Sequence, residues 1–296
     1  MTPSRWSDLD RPPLNAAALR RAVVTPEALW TSLDVVESTG STNSDLVTRA
    51  AQGAPEGTVL VAEEQTAGRG RLDRRWTAPA RSGLFFSILL RPGERVESGS
   101  AAGAQPVPAH HWGWLPLLAG VATATALSRA AGVDTSLKWP NDLLVPVDGE
   151  ERKAGGILAE RAVGTAVVVG IGLNVSLKAE ELPVPTAASL ALAGALGTDR
   201  DPLLRAVLRS LDQWYATWRA AGGDPAKSLL QQTYAAGCAT LGRQVRAELP
   251  GGEQLAGTAV AVDGDGRLVI AGPSGERAVA AGDVVHLRPA EGWAGA

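Results

Sequence analysis

The pattern of apolar and polar residues predicts a mixed α/β body followed by a tail of short strands. β-Branched residues alternate with other types at 58–65, which predicts a strand. The continuous apolar run at 82–92 predicts a buried strand that Pro92 ends. Three further apolar runs separated by turn sequences predict successive antiparallel strands: 136–145, 153–162 and 165–177.

Helix signals lie between and after these runs. Thr42 followed by Asp45 resembles a capping box, which predicts that a helix starts there. Residues 115–132 carry apolar side chains at helical spacing and end on a glycine, so they predict a buried helix. Asp-Pro pairs at 201–202 and 224–225 predict the starts of two more helices.

The pattern of apolar segments and turns changes after residue 237. From Leu241 onward, short apolar segments alternate with Gly-rich turns, which predicts a small β-barrel. We therefore expect an N-terminal extension at 1–32, a main domain at 33–237 and a C-terminal domain at 238–291. The extension holds one short helical pattern, which is too little for a DNA-binding domain of three packed helices.

Composition narrows the class of protein. Of the 296 residues, 45% are hydrophobic and 20% are charged, which is ample apolar material for a core. The formal net charge of −3 gives no overall attraction to nucleic acid or to an anionic membrane. Neither a signal peptide nor a run of roughly 20 apolar residues is present, so we expect a cytoplasmic protein. One cysteine and three histidines leave few candidates for a zinc site or for a Ser-His or Cys-His nucleophile.

Positive charge is concentrated in the arginine segment, EQTAGRGRLDRRW at 64–76, which shows neither helical nor strand periodicity. Gly68 and Gly70 allow the backbone to approach a ligand closely, and the guanidinium groups of Arg69 and Arg71 supply paired donors for phosphate or carboxylate oxygens. We expect the segment to be disordered when empty and to order over a bound anion. An ordinary solvated loop has the same composition, so this segment alone leaves that alternative open.

Known nucleotide-binding signatures are incomplete. GIGLNV at 170–175 lacks the third glycine of G-x-G-x-x-G and lies late among strands, and no G-x-x-x-x-G-K-[ST] occurs. A bound phosphate would therefore need the arginine segment and a lysine. Lys153 and Lys138 are candidates, and each would also be ordinary as a solvated turn residue.

Five motifs together remove much of this ambiguity. The chain carries, in this order, ESTGSTN at 37–43, QTAGRGR at 65–71, KWPND at 138–142, KAGGILAE at 153–160 and GIGLNV at 170–175. With this order and spacing ahead of a small β-rich tail, it resembles the biotin protein ligases over about residues 33–289.

The resemblance implies an α+β fold. It would comprise a catalytic domain with a mixed sheet and helices, related to class II aminoacyl-tRNA synthetases, and a small SH3-like β-barrel at the C-terminus. The implied reaction has two steps and uses Mg²⁺. The biotin carboxylate attacks the α-phosphate of ATP to give biotinyl-5'-AMP and pyrophosphate, and a carrier-protein lysine then attacks this intermediate. Residues 1–32 leave no room for a winged-helix domain, which implies the monofunctional type.

Residue roles also follow from the resemblance. Lys153, Arg69 and Arg71 are expected to be catalytic, with Lys153 bridging the biotin carboxylate and the α-phosphate. The expected biotin-binding residues are Ser41, Thr42, Asn43, Gln65, Gly68, Arg69, Lys153 and Gly156. The expected ATP and adenylate residues are Arg69, Arg71, Arg74, Trp76, Lys138, Asn141, Asp142, Asn174 and Tyr234, the last as the candidate to stack on adenine. We expect Mg²⁺ to be held by the phosphates rather than by protein ligands.

Three other functions are weighed against that of a biotin protein ligase. A lipoate ligase performs similar adenylation on another acid, but the GRGR and KWPND motifs favour biotin. The net charge argues against a nucleic-acid-binding module, and the intact motifs argue against an inactive interaction protein.

The implied partner is the biotin carboxyl carrier domain of an acyl-CoA or pyruvate carboxylase, and we expect a monomer or a weak homodimer. The arginine segment continues with Asp73 where many members of the family have a further Gly-Arg pair. The resemblance implies that this acidic residue would alter how the segment closes over the ligand.

Overall fold

The computed structural model describes residues 11–72, 74–249, 253–280 and 283–286. Asp73 lies outside these residues, as do both ends of the chain. The helices are α1 Ala16–Val23, α2 Thr42–Ala51, α3 Trp114–Ala131, α4 Arg200–Ala220 and α5 Leu230–Gly237. Short 3₁₀ helices span Ala109–Gly113 and Ala179–Glu181.

Seven strands form the main sheet in the order β1-β2-β5-β9-β8-β7-β6. They are β1 Ser32–Thr39, β2 Thr58–Gln65, β5 Gly83–Leu90, β6 Ser136–Lys138, β7 Asp142–Val147, β8 Glu150–Arg161 and β9 Val167–Asn174. β1 and β2 are parallel, and every other neighbouring pair is antiparallel. The sheet is therefore mixed, and the predicted α+β class is confirmed.

The strands β2 and β5 of the main sheet are buried on both faces. Side chains alternate between the faces of a strand, so Val59 and Val61 of β2 join the large core beneath α3 and α4, whereas Leu60 joins a smaller core beneath α2. A strand covered on both sides has no solvated face. This explains why β5 reads as a continuous apolar run.

The N-terminal segment belongs to the same core as the main sheet. Leu14, Leu19 and Val23 are buried in that core, and α1 packs against β1 and α4. The indole Nε1 of Trp30 donates to the Leu208 carbonyl of α4 at 3.1 Å. Residues before Leu33 therefore help to build the main domain.

The second sheet comprises β10 Gln244–Glu248, β11 Gln254–Val262, β12 Leu268–Gly272, β13 Gly275–Val279 and β14 Asp283–His286. Its strands are antiparallel in the order β13-β12-β11-β10-β14. Within the described residues the two outer strands do not pair, so the predicted small barrel is open there. Trp114 and Trp139 donate their indole N–H groups to the carbonyls of Gly264 and Gly266, at 2.9 and 3.1 Å, which fastens this sheet to the main domain.

Three local predictions need correction. The helix predicted from 224–225 begins only at Leu230, after a turn. The run 136–145 is two strands rather than one, because the chain turns at the cis Trp139–Pro140 bond between β6 and β7. The capping box at Thr42 does not form. Ser41 is the N-cap, it makes no side-chain capping bond, and the Asp45 carboxylate instead accepts from the Thr39 hydroxyl at 2.5 Å.

Of the helices in the described residues, none combines the length and the apolar composition needed to cross a membrane.

Candidate active site

A cavity of about 490 Å³ opens over β8 and β9 of the main sheet. Its lining combines the start of α2, the arginine segment, the start of β7 and a stretch after β9. Most of the residues that the sequence predicts for the site lie around it: Ser41, Thr42, Asn43, Gln65, Arg69, Arg71, Arg74, Trp76, Asn141, Asp142, Lys153, Gly156 and Asn174.

Glycines form the floor of the cavity beneath the Trp76 indole. A Cβ atom at Gly172 would lie 2.9 Å from the Trp76 ring, and one at Gly156 would lie 3.2 Å from it. A Cβ at Gly170 would lie 2.0 Å from Asn43 Oδ1. The indole and the start of α2 can therefore approach the sheet only because these positions lack side chains.

Polar side chains line the cavity beside the start of α2. Gln65 Oε1 accepts from the Thr42 backbone N–H at 2.9 Å and lies 3.2 Å from the Thr42 hydroxyl. The Ser87 hydroxyl lies 2.8 Å from the Thr42 hydroxyl and 2.6 Å from Asn43 Oδ1. Since an amide oxygen only accepts, the Ser87 proton goes to Asn43. Ser41 is 4% exposed and makes no side-chain capping bond to α2, so its hydroxyl is available to a ligand.

A network behind the cavity fixes Asn43. Its Nδ2 donates to the Leu158 carbonyl at 3.1 Å and to the Glu160 carboxylate at 2.8 Å. With Ser87 on its oxygen, every strong hydrogen-bonding group of this amide has a protein partner. The structure therefore gives Asn43 the role of joining α2 to β8.

Lys153 projects into the cavity from β8. Its Nζ lies 2.6 Å from Asp142 Oδ1 and 5.7 Å from the centre of the Trp76 ring. The side chain of Lys153 is 37% exposed, so the ammonium group is accessible to a ligand. Asp142 holds this ammonium on the cavity side of the sheet.

A β-bulge places Lys153 and Gly156 on the same face of β8. Leu144 pairs with Lys153 and Leu143 pairs with Gly155, which leaves Ala154 as the extra residue. In a regular strand, residues three apart point to opposite faces. Here a Cβ at Gly156 would lie 3.5 Å from Lys153 Nζ, so both residues face the cavity.

The arginine segment forms a small hairpin, which corrects the expectation of no strand there. β3 Gly68–Arg69 pairs with β4 Arg75–Trp76. Arg69 lies 3.0 Å from the Glu160 carboxylate, and Arg71 Nη1 donates to Asn141 Oδ1 at 3.3 Å. These contacts hold the segment along the cavity while leaving Arg69 about half exposed.

A stretch of chain after β9, the arm at 178–187, closes another side of the cavity with Pro183, Val184, Thr186 and Ala187. At one end the arm is tied to Lys153, whose backbone N–H donates to the Thr186 carbonyl at 2.9 Å. At its other end, Glu181 binds the guanidinium group of Arg11, with contacts of 3.0 and 2.5 Å.

Three predicted site residues lie elsewhere. Tyr234 is 2% exposed, packs edge-on against Trp114 in the core and does not line the cavity, so it cannot stack on a nucleotide there. Burial also raises the pKa of its hydroxyl well above the usual value. Lys138 lies outside the lining, and its charge acts on His286 of the second sheet. Gly68 does not line the cavity either. A Cβ there would lie 2.5 Å from the Trp76 carbonyl, so the glycine allows the hairpin to close.

Sequence reasoning left several site features unassigned. Glu160 falls inside the KAGGILAE motif but received no role, and the alternate glycines of GIGLNV were the available signal for the cavity floor. The arm at 178–187 and its partner Arg11 carry no local signal, since 170 residues separate Arg11 from Glu181.

The buried N–H of Trp76 stands out in the site. Its Nε1 has no hydrogen-bond partner among the described residues, which is unusual for a buried donor. A ligand that accepts from this group would remove the cost of leaving it unpaired.

Comparison with known proteins places these features in a family context. The family model described as Biotin/lipoate A/B protein ligase family matches residues 35–176, and the one described as Biotin protein ligase C terminal domain matches residues 240–287. The chain is 42% identical over 282 residues to the biotin–[acetyl-CoA-carboxylase] ligase of Mycobacterium tuberculosis, covering 94% of this chain and 97% of that protein.

Two more relatives extend the comparison. The bifunctional ligase/repressor BirA of Bacillus subtilis is 33% identical over 258 residues, covering 85% of this chain and 72% of that protein. The structure of the biotin protein ligase from Aquifex aeolicus in complex with biotin and ATP matches with a TM-score of 0.68 at 26% identity, covering 88% of this chain and all of that one.

Proposed function

The chain belongs to the biotin protein ligase family, and we propose that the cavity over β8 and β9 is where it joins biotin to AMP before transfer to a carrier-protein lysine. The observation that carries this assignment is the position of Lys153. Its ammonium lies in a cavity that also contains neutral hydrogen-bonding groups and a pair of arginines. An acid with a polar head and an anionic tail fits that distribution of charge.

The ureido head of biotin binds beside the start of α2. Ser41 offers a hydroxyl that is not used to cap α2, and the Gln65 amide is held in place by Thr42. A buried ureido group needs such partners, because an unpaired amide-like group costs about 1–3 kcal/mol when it leaves water. Trp76 and the glycine floor supply the apolar surface for the rest of the ligand.

Lys153 lies where the biotin carboxylate meets the α-phosphate. In the first step a carboxylate oxygen forms a bond to the α-phosphorus, and the bond to the bridging oxygen of pyrophosphate breaks, with its electron pair leaving on pyrophosphate. Two anions must approach each other for this to occur, so a fixed cation between them lowers the barrier. Asp142 keeps the ammonium in place without filling the cavity.

The arginine segment covers the adenylate. Arg69 and Arg71 present guanidinium groups that pair with phosphate oxygens better than a point charge does. Their partners in the structure, Glu160 and Asn141, hold them beside the cavity until a phosphate replaces those contacts. Retaining the mixed anhydride protects it from water.

Magnesium fits this end of the cavity. Asn141 and Asp142 supply amide and carboxylate oxygens, the ligand type that Mg²⁺ prefers, although both also bind cationic side chains. They would assist a magnesium ion held mainly by the phosphates. The ion would neutralise charge on the triphosphate.

The second step transfers biotin to a lysine of the carrier. The neutral amine of that lysine attacks the acyl carbon, the new amide bond forms, AMP leaves with the electron pair of the anhydride bond, and the amine gives up a proton. We propose the biotin carboxyl carrier domain of an acyl-CoA or pyruvate carboxylase as the partner. The ligase would act in the cytoplasm as a monomer or a weak homodimer.

Pyrophosphate exchange into ATP tests the first step. Purified protein with Mg²⁺ should exchange labelled pyrophosphate when biotin is added and should not exchange it with lipoate or without an acid. Exchange with lipoate in place of biotin would move the assignment to the lipoate ligases. A folded sample that exchanges with neither acid would contradict adenylation at this site.

A further inference from the structure

Two of the three histidines of the chain meet an aspartate from the second sheet. His110 and His111 lie in the 3₁₀ helix before α3, and Asp265 lies in the turn between β11 and β12. One ring nitrogen from each histidine and a carboxylate oxygen of Asp265 all lie within 4.8 Å of one another. We propose that these three residues form a binding site for a divalent transition metal of the Zn²⁺ class, at the joint between the two domains.

The chemistry of the three groups suits such an ion. Imidazole nitrogen and carboxylate oxygen are ordinary Zn²⁺ ligands, and two histidines with one carboxylate leave a fourth position open. Metal–ligand bonds of about 2.0–2.2 Å put the ligand atoms of a tetrahedral site about 3.4 Å apart. The two imidazole rings are already close, with centres 4.1 Å apart, and His110 is exposed and free to adjust.

The segments that carry these ligands are held against each other. Trp114 donates to the Gly264 carbonyl at 2.9 Å, and a Cβ at Gly113 would lie 2.4 Å from the Asp265 carbonyl. The turn itself is closed by Asp263, whose carboxylate accepts from the backbone N–H of Asp265 at 2.9 Å. The protein therefore brings the ligands together before any ion binds, which lowers the ordering cost of binding.

A backbone carbonyl orients one of the imidazoles. His111 Nδ1 lies 3.3 Å from the Gly264 carbonyl oxygen, which can only accept. In a neutral ring, this contact favours the tautomer with the proton on Nδ1 and the lone pair on Nε2. A metal-binding histidine commonly donates its other ring N–H to a backbone carbonyl, and this hydrogen bond fixes the orientation of the ring.

Arg267 opposes the ion and limits its affinity. Its Nη2 lies 3.1 Å from Asp265 Oδ2, and its Nε binds Asp263 at 2.8 Å. A carboxylate has about four lone-pair positions, so Asp265 can keep this contact and still ligate a metal. We therefore expect reversible binding rather than a permanently loaded structural ion.

The site borders a groove of about 700 Å³ between the two domains. His110, Asp265 and the arginine segment all line this groove. A bound ion would join the domains through its ligands and add positive charge to the groove that Arg69 and Arg71 also line. The proposal does not depend on the ligase assignment, because it rests on other residues.

Cobalt spectroscopy tests the site directly. The chain of residues 1–296, with any affinity tag removed, is freed of metal with EDTA and titrated with Co²⁺, whose visible absorption reports nitrogen and oxygen ligation. We expect saturation at one equivalent and displacement of Co²⁺ by Zn²⁺. Absence of saturable absorption in the wild-type chain would overturn the proposal.

Matched variants distinguish metal binding at this site from metal binding elsewhere on the chain. His110→Ala and Asp265→Asn should each abolish the saturable signal, whereas His286→Gln, which alters the third histidine, should preserve it. His110 is exposed, so its variant should fold, and thermal unfolding without metal checks all three variants. If His110→Ala and Asp265→Asn titrate as the wild type does, the ion binds elsewhere and the assignment is wrong.

Discussion

Lys153 Nζ lies 2.6 Å from Asp142 Oδ1, and the β-bulge at Ala154 turns this pair toward the cavity. The aspartate fixes a flexible side chain, and more than a third of the lysine side chain remains exposed to a ligand. An ammonium held in this way is oriented before the substrates bind. Such preorganisation is what electrostatic stabilisation of a transition state requires.

Loss of this lysine should abolish adenylation without unfolding the protein. We expect Lys153→Ala to lower the rate of biotinyl-AMP synthesis by about 10²–10³-fold, the usual cost of removing a group that stabilises developing charge. Pyrophosphate exchange measures that rate. Arg152→Ala is the matched control, because Arg152 is the neighbouring cation on β8, contacts Asp148 and does not line the cavity. Synthesis at the wild-type rate by Lys153→Ala would remove Lys153 from the mechanism.

Arg69 should retain the intermediate. A charge-assisted hydrogen bond is worth about 1.5–3 kcal/mol, so Arg69→Ala should speed the dissociation of biotinyl-AMP by roughly tenfold or more. Dissociation is followed after the ligand is chased with unlabelled biotin and ATP. Arg277→Ala provides a control, since Arg277 lies in the second sheet and pairs with Glu253. Equal dissociation rates in Arg69→Ala and the wild type would show that the arginine segment is not a cover.

The glycine floor should control ligand binding. At Gly172 an added methyl group would lie 2.9 Å from the Trp76 ring, so Gly172→Ala should displace the indole and weaken biotin binding by about tenfold. Isothermal titration with biotin measures this change. Gly197→Ala is the control, because a Cβ there meets nothing within 4 Å. Unchanged affinity in Gly172→Ala would mean that the indole does not contact the ligand.

The sequence predicted those parts of the fold whose signals are local. β2 and β5 follow from short-range apolar patterns, and α3 ends where predicted because Gly132 adopts a left-handed conformation, with φ of 65°. The run 136–145 was predicted as one strand although Pro-Asn-Asp at 140–142 is a turn signal, and the chain reverses at that point between β6 and β7. After this reversal the two halves of the run pair with each other as an antiparallel hairpin.

The cavity lining was predicted largely through motifs, and the errors arose where tertiary packing decides. Tyr234 was chosen because an aromatic residue preceded the second domain, but α5 turns its ring into the core against Trp114. Lys138 lies in the KWPND motif with Asn141 and Asp142, yet it falls on β6 outside the cavity. Neither the direction of a side chain nor a contact across 170 residues, such as that of Arg11 with Glu181, can be read from spacing.

The Arg11–Glu181 pair should position the arm at 178–187. Arg11 is 17% exposed at its side chain and also donates to the Ser176 carbonyl at 3.0 Å. The hydrogen bond from Arg11 lowers the pKa of Glu181, which favours the ionised carboxylate in this pair. We expect Arg11→Ala to loosen the arm and to speed biotin dissociation by about fivefold, with little change in the rate of adenylation at saturating substrate.

Swapping the charges of Arg11 and Glu181 distinguishes a role in positioning the arm from a general contribution to the stability of the fold. The double variant with Arg11→Glu and Glu181→Arg should recover much of the slow dissociation that each single variant loses. Stopped-flow measurement of biotin dissociation, alongside thermal unfolding of each variant, makes the comparison. If dissociation tracks thermal stability across the set, without recovery in the double variant, the pair is structural only.

His286 should make the attachment of the second sheet sensitive to acid. Its Nε2 lies 3.0 Å from the Thr240 hydroxyl, which also accepts from the Trp139 backbone N–H at 3.0 Å. Burial, with the nearby charges of Lys138 and Arg243, lowers the pKa of His286 from 6.5 to about 4, and Glu151 opposes the shift. In the unfolded chain the ring accepts a proton near pH 6.5, whereas in the folded chain it stays neutral until about pH 4. Its contribution to stability is therefore complete above pH 6.5 and is lost as the pH falls toward 4.

Urea unfolding of the wild type and His286→Gln across this range isolates the histidine from the carboxylates, which titrate in both proteins. The free energy of unfolding of the wild type should fall more steeply than that of the variant between pH 6.5 and about 4. The variant lacks the titrating ring, so the difference between the two proteins should shrink as the solution becomes more acidic. Parallel curves would show that His286 has the same proton affinity folded and unfolded, and that the second sheet does not hold it in the neutral form.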